Sequence, residues 1–228
     1  MPDFKLADLA KMFDHSLLQP NLTDAEIAQG FQVARDYDVA SVCVKPYAVA
    51  RAAEALKGTS VRVGTVIGFP HGGHVTRVKV AEAEAAIADG AVELDMVINI
   101  GKVLSKDYRY IRDDIGGVVQ ATHRKSAKVK VIFENCFLQD EHKIELCLIC
   151  GDLCADWVKT STGYGESGAT DRDLALMRQY SPPHVQVKAA GGVRTFDRVL
   201  AVRALGVTRI GATATKAILD ECRQRMGG

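Results

Sequence analysis

The chain has 228 residues, 47% of them hydrophobic and 25% charged, which suits one globular domain spanning residues 1–228. With 29 Lys and Arg against 28 Asp and Glu the net charge is +1, which argues against an electrostatic nucleic-acid binder and against charge-driven membrane attachment. No apolar run reaches the roughly 18 residues of a spanning helix, and the opening MPDFKLADLAKMF lacks the pattern of a signal peptide, so a cytoplasmic location is expected.

Short β-rich runs alternate with helical ones. HSLL (15–18) is the first strand. TDAEIAQGFQVARDYD follows it, and Thr23 with Glu26 three residues on forms a capping-box pattern at a helix start. ASVCVKP (40–46) and VRVGTVIGF (61–69) are strands two and three. VKVAEAEAAIADG is a helix that Gly90 ends. VELDMVI (92–98), KVKVIFE (128–134) and DWVKTST (156–162) are strands four to six. The helices TDRDLALMRQY and TFDRVLAVRALG, each opening on Thr, flank strand seven, VQVKAAG (185–191), and TRIGATA (208–214) is strand eight.

Eight units in 228 residues average about 28 residues each, close to a βαβ unit. Strict alternation implies parallel strands with helices outside. The predicted fold is α/β, a compact (β/α)8 TIM barrel: a closed, parallel, eight-stranded barrel with outer helices. A doubly wound open sheet usually carries G-x-G-x-x-G after its first strand, and here that position reads QPNLTD.

The cysteines at 43, 136, 147, 150, 154 and 222 read as reduced thiols. Cys147, Cys150 and Cys154 have a spacing that metal sites use, but EHKIELCLICGDLC is helical in its apolar period and there is no second pair, so a packed helix face is the preferred reading. Cys43 reads as a core thiol that could border a pocket. His71 and His74 form an H-x-x-H pair beside Phe-Pro and Gly-Gly, which suits a rim loop better than a metal site.

Buried parallel strands are normally apolar throughout. Here Glu93 and Asp95 interrupt strand four, Lys130 and Glu134 strand five, Lys159 strand six and Lys188 strand seven. A period of two puts Glu93 with Asp95, and Lys130 with Glu134, on one face, while Leu94, Met96, Val131 and Phe133 point to the helices. The charged face therefore looks into the barrel. One reading is a set of internal salt bridges. The other is catalytic, because Asp95, Lys159 and Lys188 are placed near the C-terminal strand ends, the mouth of this fold. A second cation about 5 Å from a lysine costs about 3 kcal/mol at an effective dielectric of about 20. That raises its neutral fraction about a hundredfold. A neutral lysine adds to a carbonyl and forms a Schiff base.

Strand seven leads into Gly191, Gly192, Val193 and Arg194, and strand eight into Gly211, Ala212, Thr213 and Ala214, each at a helix start. The loops after strands seven and eight commonly hold phosphate in this fold. Arg194 could meet that phosphate or cap its own loop.

The stretches DHSLLQPNLT, VGTVIGFPHG, ELDMVINIG, KVIFENC, DWVKTSTGYG, VKAAGGVRT and RIGATA run in order from residue 14 to 214. Together they resemble the deoxyribose-phosphate aldolases, with VKTSTG and KAAGGVRT the most specific. The resemblance implies a class I aldolase on a (β/α)8 barrel that needs no metal or other cofactor. It implies cleavage of 2-deoxy-D-ribose 5-phosphate to D-glyceraldehyde 3-phosphate and acetaldehyde. Lys159 then matches the Schiff-base lysine, Lys188 the second lysine that perturbs it, and Asp95 the acid that shuttles protons. Gly191, Gly192, Gly211, Thr213 and Ala214 match the phosphate cradle. Periodicity alone does not separate Lys159 from Lys188; the resemblance does.

The chain departs from that pattern in three places. Thr213 stands where the family often has Ser, Tyr164 stands where some members carry Lys, and RQRMGG ends without the terminal Tyr of some members. The implied partner is a small phosphorylated sugar or aldehyde, with no nucleic acid or membrane and with a homo-oligomer left open. The alternatives are a Schiff-base aldolase for another phosphosugar and a non-catalytic phosphosugar-binding barrel. A near-isosteric change of Asp95 to Asn is expected to keep the fold.

Overall fold

The computed structural model describes residues 5–225. Met1–Phe4, the start of the opening segment, and Met226–Gly228, which end RQRMGG, lie outside the described residues. So do the readings of a leader and of a tail Tyr where they rest on those positions.

Eight strands close into a parallel barrel in sequence order: β1 (Phe13–Leu17), β2 (Ser41–Val44), β3 (Arg62–Ile67), β4 (Glu93–Val97), β5 (Lys128–Ile132), β6 (Trp157–Lys159), β7 (Gln186–Ala190) and β8 (Arg209–Ala212). β8 pairs back onto β1 through Phe13 with Ile210 and Asp14 with Gly211. The helices are α1 (Leu6–Ala10), α2 (Asp24–Asp36), α3 (Val49–Ala55), α4 (Thr76–Ala88), α5 (Ile100–Leu104), α6 (Tyr108–His123), α7 (Asp140–Asp152), α8 (Asp171–Tyr180), α9 (Phe196–Ala204) and α10 (Thr215–Arg225). Most strands are shorter at their ends than the β-rich runs suggested, because several of those runs include the turn into the next helix, whereas β1 begins two residues before HSLL. α1 and the short α5 have no counterpart in the sequence reading.

Local chemistry sets these boundaries. At α2 the Thr23 hydroxyl accepts from the Glu26 N–H at 3.3 Å, and the Glu26 carboxylate accepts from the Thr23 N–H at 2.7 Å. The Thr170 and Thr195 hydroxyls cap α8 and α9 by accepting from the Asp173 and Arg198 N–H groups. Gly90, at φ +104°, turns the chain after α4 into β4.

The strand alternation divides two interiors. Leu94, Met96, Val129, Val131, Val158 and Val187 are fully buried in the layer between barrel and helices. Each contributes roughly 1.5–3 kcal/mol of apolar burial. The other face of the same strands carries the charged side chains. A further buried pair lies in the helical layer: Lys79 of α4 meets Asp114 of α6 at 2.5 Å and donates to the Val97 carbonyl at 2.8 Å. Gly68 sits directly over the Lys79 chain, so this lysine also supports the loop after β3.

Both side chains of this pair are wholly excluded from solvent. Lys79→Met leaves Asp114 as an uncompensated buried charge and is expected to cost about 3–5 kcal/mol. The double change Lys79→Met, Asp114→Leu should recover much of it, with urea unfolding midpoints as the measurement. Equal midpoints for the single and double variants would show that the ion pair does not carry the packing of α4 on α6.

Candidate active site

Inside the barrel three carboxylates face four cations. Asp14 of β1, Glu93 and Asp95 of β4, Lys130 of β5, Lys159 of β6, Lys188 of β7 and Arg209 of β8 are all buried. The closed topology makes this possible, since it turns one face of six different strands toward a common axis.

The cluster has two levels. In the lower one Lys130 reaches Glu93 at 2.7 Å, Asp95 at 2.8 Å and Asp14 at 3.3 Å. Arg209 reaches Asp14 at 2.5 Å and Glu93 at 2.9 Å. Its guanidinium lies 4.9 Å from the centre of the Trp157 ring. In the upper level one oxygen of Asp95 accepts from both Lys159 and Lys188, each at 2.7 Å. Lys188 also donates to Asp14 at 2.5 Å, and Ser41 holds the other oxygen of Asp14 at 2.6 Å.

Counting partners separates the two lysines that periodicity left equivalent. Lys130 has three carboxylate partners, Lys188 and Arg209 have two each, and Lys159 has only Asp95. With every group ionised these seven carry one excess positive charge, and half-exposed Arg62, 3.3 Å from Glu93, adds another at the edge of the cluster. Loss of the Lys159 proton reduces that excess at the least-paired position.

The proton affinities follow. Burial is the largest influence on Lys159 and pulls its pKa below the ordinary lysine value; Asp95 opposes this and the Lys188 cation adds to it. The sequence argument relied on the second cation, whereas desolvation leads here. Burial also works against the Lys188 ammonium, but Asp14 and Asp95 outweigh it and raise its pKa. For Asp95 burial is outweighed by Lys130, Lys159 and Lys188, which hold it well below the usual carboxylate range. Asp14 is held low by Lys130, Lys188 and Arg209 in the same way. The site thus contains one amine inclined to be neutral, one ammonium held charged, and two carboxylates held ionised.

Three details of the sequence reading change. Lys159 ends its strand at the mouth, but Asp95 and Lys188 are the middle residues of β4 and β7, with Lys188 the ladder partner of Lys159. Glu134 is not in the cluster. The chain leaves β5 after Ile132, and Glu134 adopts φ +55°, which aims its carboxylate at the Thr162 N–H at 3.1 Å and at the Thr162 hydroxyl. Asp14 and Arg209, which the sequence reading passed over, take part instead.

Above the lysines opens a mouth lined in part by Ser16, Cys43, Thr162, Tyr164, Gly191, Gly192, Arg194, Gly211 and Thr213. Gly191 and Gly192 have φ values of +79° and +85°, a backbone that glycine adopts without strain and that leaves their loop open toward the cavity. Arg194 is exposed at this rim and makes no ion pair or side-chain hydrogen bond among the described residues. At Gly211 a Cβ would approach Lys188 Cε to 3.4 Å, so this glycine also makes room for the lysine chain. Ala214 is not part of the mouth lining and packs against the core. Cys43 lines the mouth, and burial pushes its thiol up to about 11.

His71 and His74 lie exposed on the loop after β3. Cys147 and Cys150 are buried in α7 and Cys154 is exposed beyond its end. Among the described residues no cluster of three His, Cys, Asp or Glu side chains is arranged to hold a metal ion.

A lysine of lowered pKa beside one of raised pKa at the mouth of a (β/α)8 barrel suits imine formation with a carbonyl. A family profile described as DeoC/LacD family aldolase matches residues 8–220. The chain belongs to that family. It is 56% identical over 227 residues to a deoxyribose-phosphate aldolase of Rhodopirellula baltica, covering 100% of this chain and 94% of the relative. It is 47% identical to one of Thermococcus gammatolerans, covering 95% of this chain and 97% of the relative. Among solved structures, the tetrameric deoxyribose phosphate aldolase of Aeropyrum pernix superposes with a TM-score of 0.90 at 27% identity, over 97% of this chain and 93% of that one.

The three bonds to Asp95 modify one sequence-based expectation for this family member. Asp95→Asn is nearly isosteric, yet it leaves Lys130, Lys159 and Lys188 facing one another. The change is expected to lower kcat by roughly 10² or more and to cost about 3–5 kcal/mol of stability. Because the folded pKa of Asp95 is depressed, its stabilisation is complete above about pH 4 and is lost as pH falls toward the folded value. The variant should therefore lose part of the acid-side fall in stability. Urea midpoints between pH 3 and 7 check this, and parallel curves for both proteins would contradict it.

Proposed function

We propose that this chain is a class I deoxyribose-phosphate aldolase with Lys159 as its nucleophile. The observation that carries the reading is the asymmetry of the two mouth lysines: Lys159 has one carboxylate partner and a lowered pKa, and Lys188 has two and a raised one.

In the cleavage direction the neutral Lys159 amine adds to the aldehyde carbon of open-chain 2-deoxy-D-ribose 5-phosphate, and water leaves to give the iminium. Lys188, held charged, supplies the proton that the departing oxygen needs. Removal of the proton from the substrate's third-carbon hydroxyl lets the bond between its second and third carbons break. The electron pair flows into the iminium to form an enamine, and glyceraldehyde 3-phosphate departs. Asp95, ionised and shared between both lysines, receives and returns protons as their charges change, directly or through water. Protonation of the enamine and addition of water release acetaldehyde and restore the amine. Loss of the Lys159 proton removes positive charge from the buried cluster, the direction in which burial moves its pKa.

The phosphate end of this reading lies at Gly191, Gly192, Arg194 and Thr213, about the mouth above Lys188. Backbone N–H groups and one unengaged guanidinium suit a dianion. A cytoplasmic homo-oligomer is part of the same reading. Its support is that no helix among the described residues is long and apolar enough to cross a membrane, and that the Aeropyrum pernix relative is tetrameric.

Borohydride reduction with acetaldehyde, run in EDTA and mapped by mass spectrometry, should place the adduct on Lys159. An adduct confined to Lys188 would reverse the assignment. Since the folded pKa of Lys159 is lowered, its neutral fraction grows as pH rises and levels off before the ordinary lysine value of about 10.4. The initial trapping rate should rise up to tenfold per pH unit and flatten below that value.

Arg194→Ala should raise KM for deoxyribose 5-phosphate by about tenfold or more, since a charge-assisted hydrogen bond is worth about 1.5–3 kcal/mol. It should leave kcat/KM for unphosphorylated deoxyribose within about twofold. Equal losses on both substrates would make Arg194 a brace for its loop rather than a phosphate contact.

A further inference from the structure

Next to the catalytic mouth lies a second cavity of about 430 Å³. Leu18, Pro20, Pro46, Val66, Phe69 and Pro70 form much of its wall. Its polar side chains have partners at the edge: Glu82 accepts from the Gly68 N–H at 2.7 Å, and Lys45 donates to the Gln19 carbonyl at 3.0 Å. The two cavities share Leu18 and Tyr164, so these side chains form a partition with the lysines on one side and an apolar chamber on the other.

Tyr164 is held in that position from three directions. Its hydroxyl donates to the Leu18 carbonyl at 2.9 Å. Its ring meets Phe69 edge to face, with centroids 5.5 Å apart at 88°. Its N–H donates to the Thr162 hydroxyl at 3.0 Å, and Thr162 is itself fixed by Glu134. Gly163, at φ +92°, turns the chain between them. Beneath the ring, Leu18, Cys43 and Val66 form a small apolar cluster apart from the main core, with Phe69 packed on it. Cys43 faces the mouth and Val66 the chamber, so the divide is one side chain thick.

We propose that Tyr164 is a specificity-determining residue that keeps this chamber closed to the acceptor aldehyde, and that the chamber is a latent subsite for unbranched aliphatic aldehydes. The inference rests on the aldolase reading above. In the addition direction the acetaldehyde enamine on Lys159 attacks the acceptor carbonyl. A carbon–carbon bond forms, the carbonyl oxygen takes a proton, and water releases the product and the amine. The acceptor's tail must go somewhere. A phosphorylated tail goes to Gly191, Gly192 and Arg194. The mouth offers an aliphatic tail a lining that is polar in large part, and the mainly apolar wall that suits it better is behind the Tyr164 ring. Each methylene transferred into such a chamber is worth about fourfold in binding.

The experiment compares Tyr164→Ala, Tyr164→Phe and the unaltered enzyme in addition of acetaldehyde to hexanal and to glyceraldehyde 3-phosphate. The readout is the ratio of kcat/KM for the two acceptors. Tyr164→Ala removes the ring and should shift the ratio toward hexanal by at least tenfold, chiefly through a lower KM for hexanal. Tyr164→Phe keeps the ring against Phe69 and should leave the ratio within about threefold of the unaltered enzyme. A third protein, Tyr164→Ala with Val66→Phe, refills the chamber and should return the ratio toward its starting value. An unchanged ratio in Tyr164→Ala overturns the proposal, and so does an equal shift in Tyr164→Phe, which would assign the effect to the hydroxyl. Borohydride trapping of acetaldehyde is measured on every variant. Loss of the adduct throughout would indict the aldolase reading, whereas intact trapping with an unmoved ratio would indict the partition alone.

Discussion

The structure depends on a charge imbalance confined where water cannot correct it. Asp14, Glu93 and Asp95 oppose Lys130, Lys159, Lys188 and Arg209 in the barrel interior, every one of them buried. Removing ions from water costs several kcal/mol each, and pairing must offset most of that. Three anions cannot satisfy four cations. The resolution with the smallest cost is for one cation to give up its proton, and the least-paired one is Lys159. The lowered proton affinity of Lys159 is thus a consequence of packing.

This view reconciles two readings of charged barrel strands that seem exclusive. The lower level of Glu93, Lys130 and Arg209, closed by the Trp157 ring, is an internal salt-bridge network with few demands beyond satisfaction of charge. The upper level of Asp14, Asp95, Lys159 and Lys188 opens onto the mouth. Asp14 and Asp95 belong to both, since each bonds to Lys188 above and Lys130 below. The lower network therefore fixes the position and ionisation of the carboxylates that the upper one uses. Structural and chemical roles are stacked along the barrel axis.

Much of this was legible in the residues, for reasons that can be named. Threonine caps at 23, 170 and 195 are local hydrogen-bond chemistry and survive folding unchanged. Glu93, Asp95, Lys130, Lys159 and Lys188 stood out because a charge inside a β-branched run conflicts with burial on both faces. Asp14 escaped because it precedes HSLL and looked like a residue before a strand; in the barrel it pairs with Ser41 and Gly211 within β1. Arg209 escaped because it stands next to the start of TRIGATA, outside the apolar run that drew attention to the other charges, and only closure of β8 against β1 turns it inward. Glu134 was misplaced by extending a period of two beyond Ile132, where a left-handed residue ends the strand. Tyr164 showed itself only as a departure from a pattern. Its partition role depends on Leu18 and Phe69, which approach it from β1 and β3 and which no local signal relates to it.

The same division explains where this enzyme can vary. Asp95, Lys159 and Lys188 are fixed by strand register: Lys159 pairs with Lys188, and Asp95 with Lys130, in adjacent ladders. A register slip of one residue would turn these side chains into the apolar layer, so the chemistry is locked to the fold. Arg194, Thr213 and Tyr164 stand on connecting segments, where backbone conformation is set by local contacts rather than by the ladders. Changes there leave the charge count of the barrel untouched. Substitutions in these loops therefore leave the buried imbalance, and with it the lowered pKa of Lys159, in place.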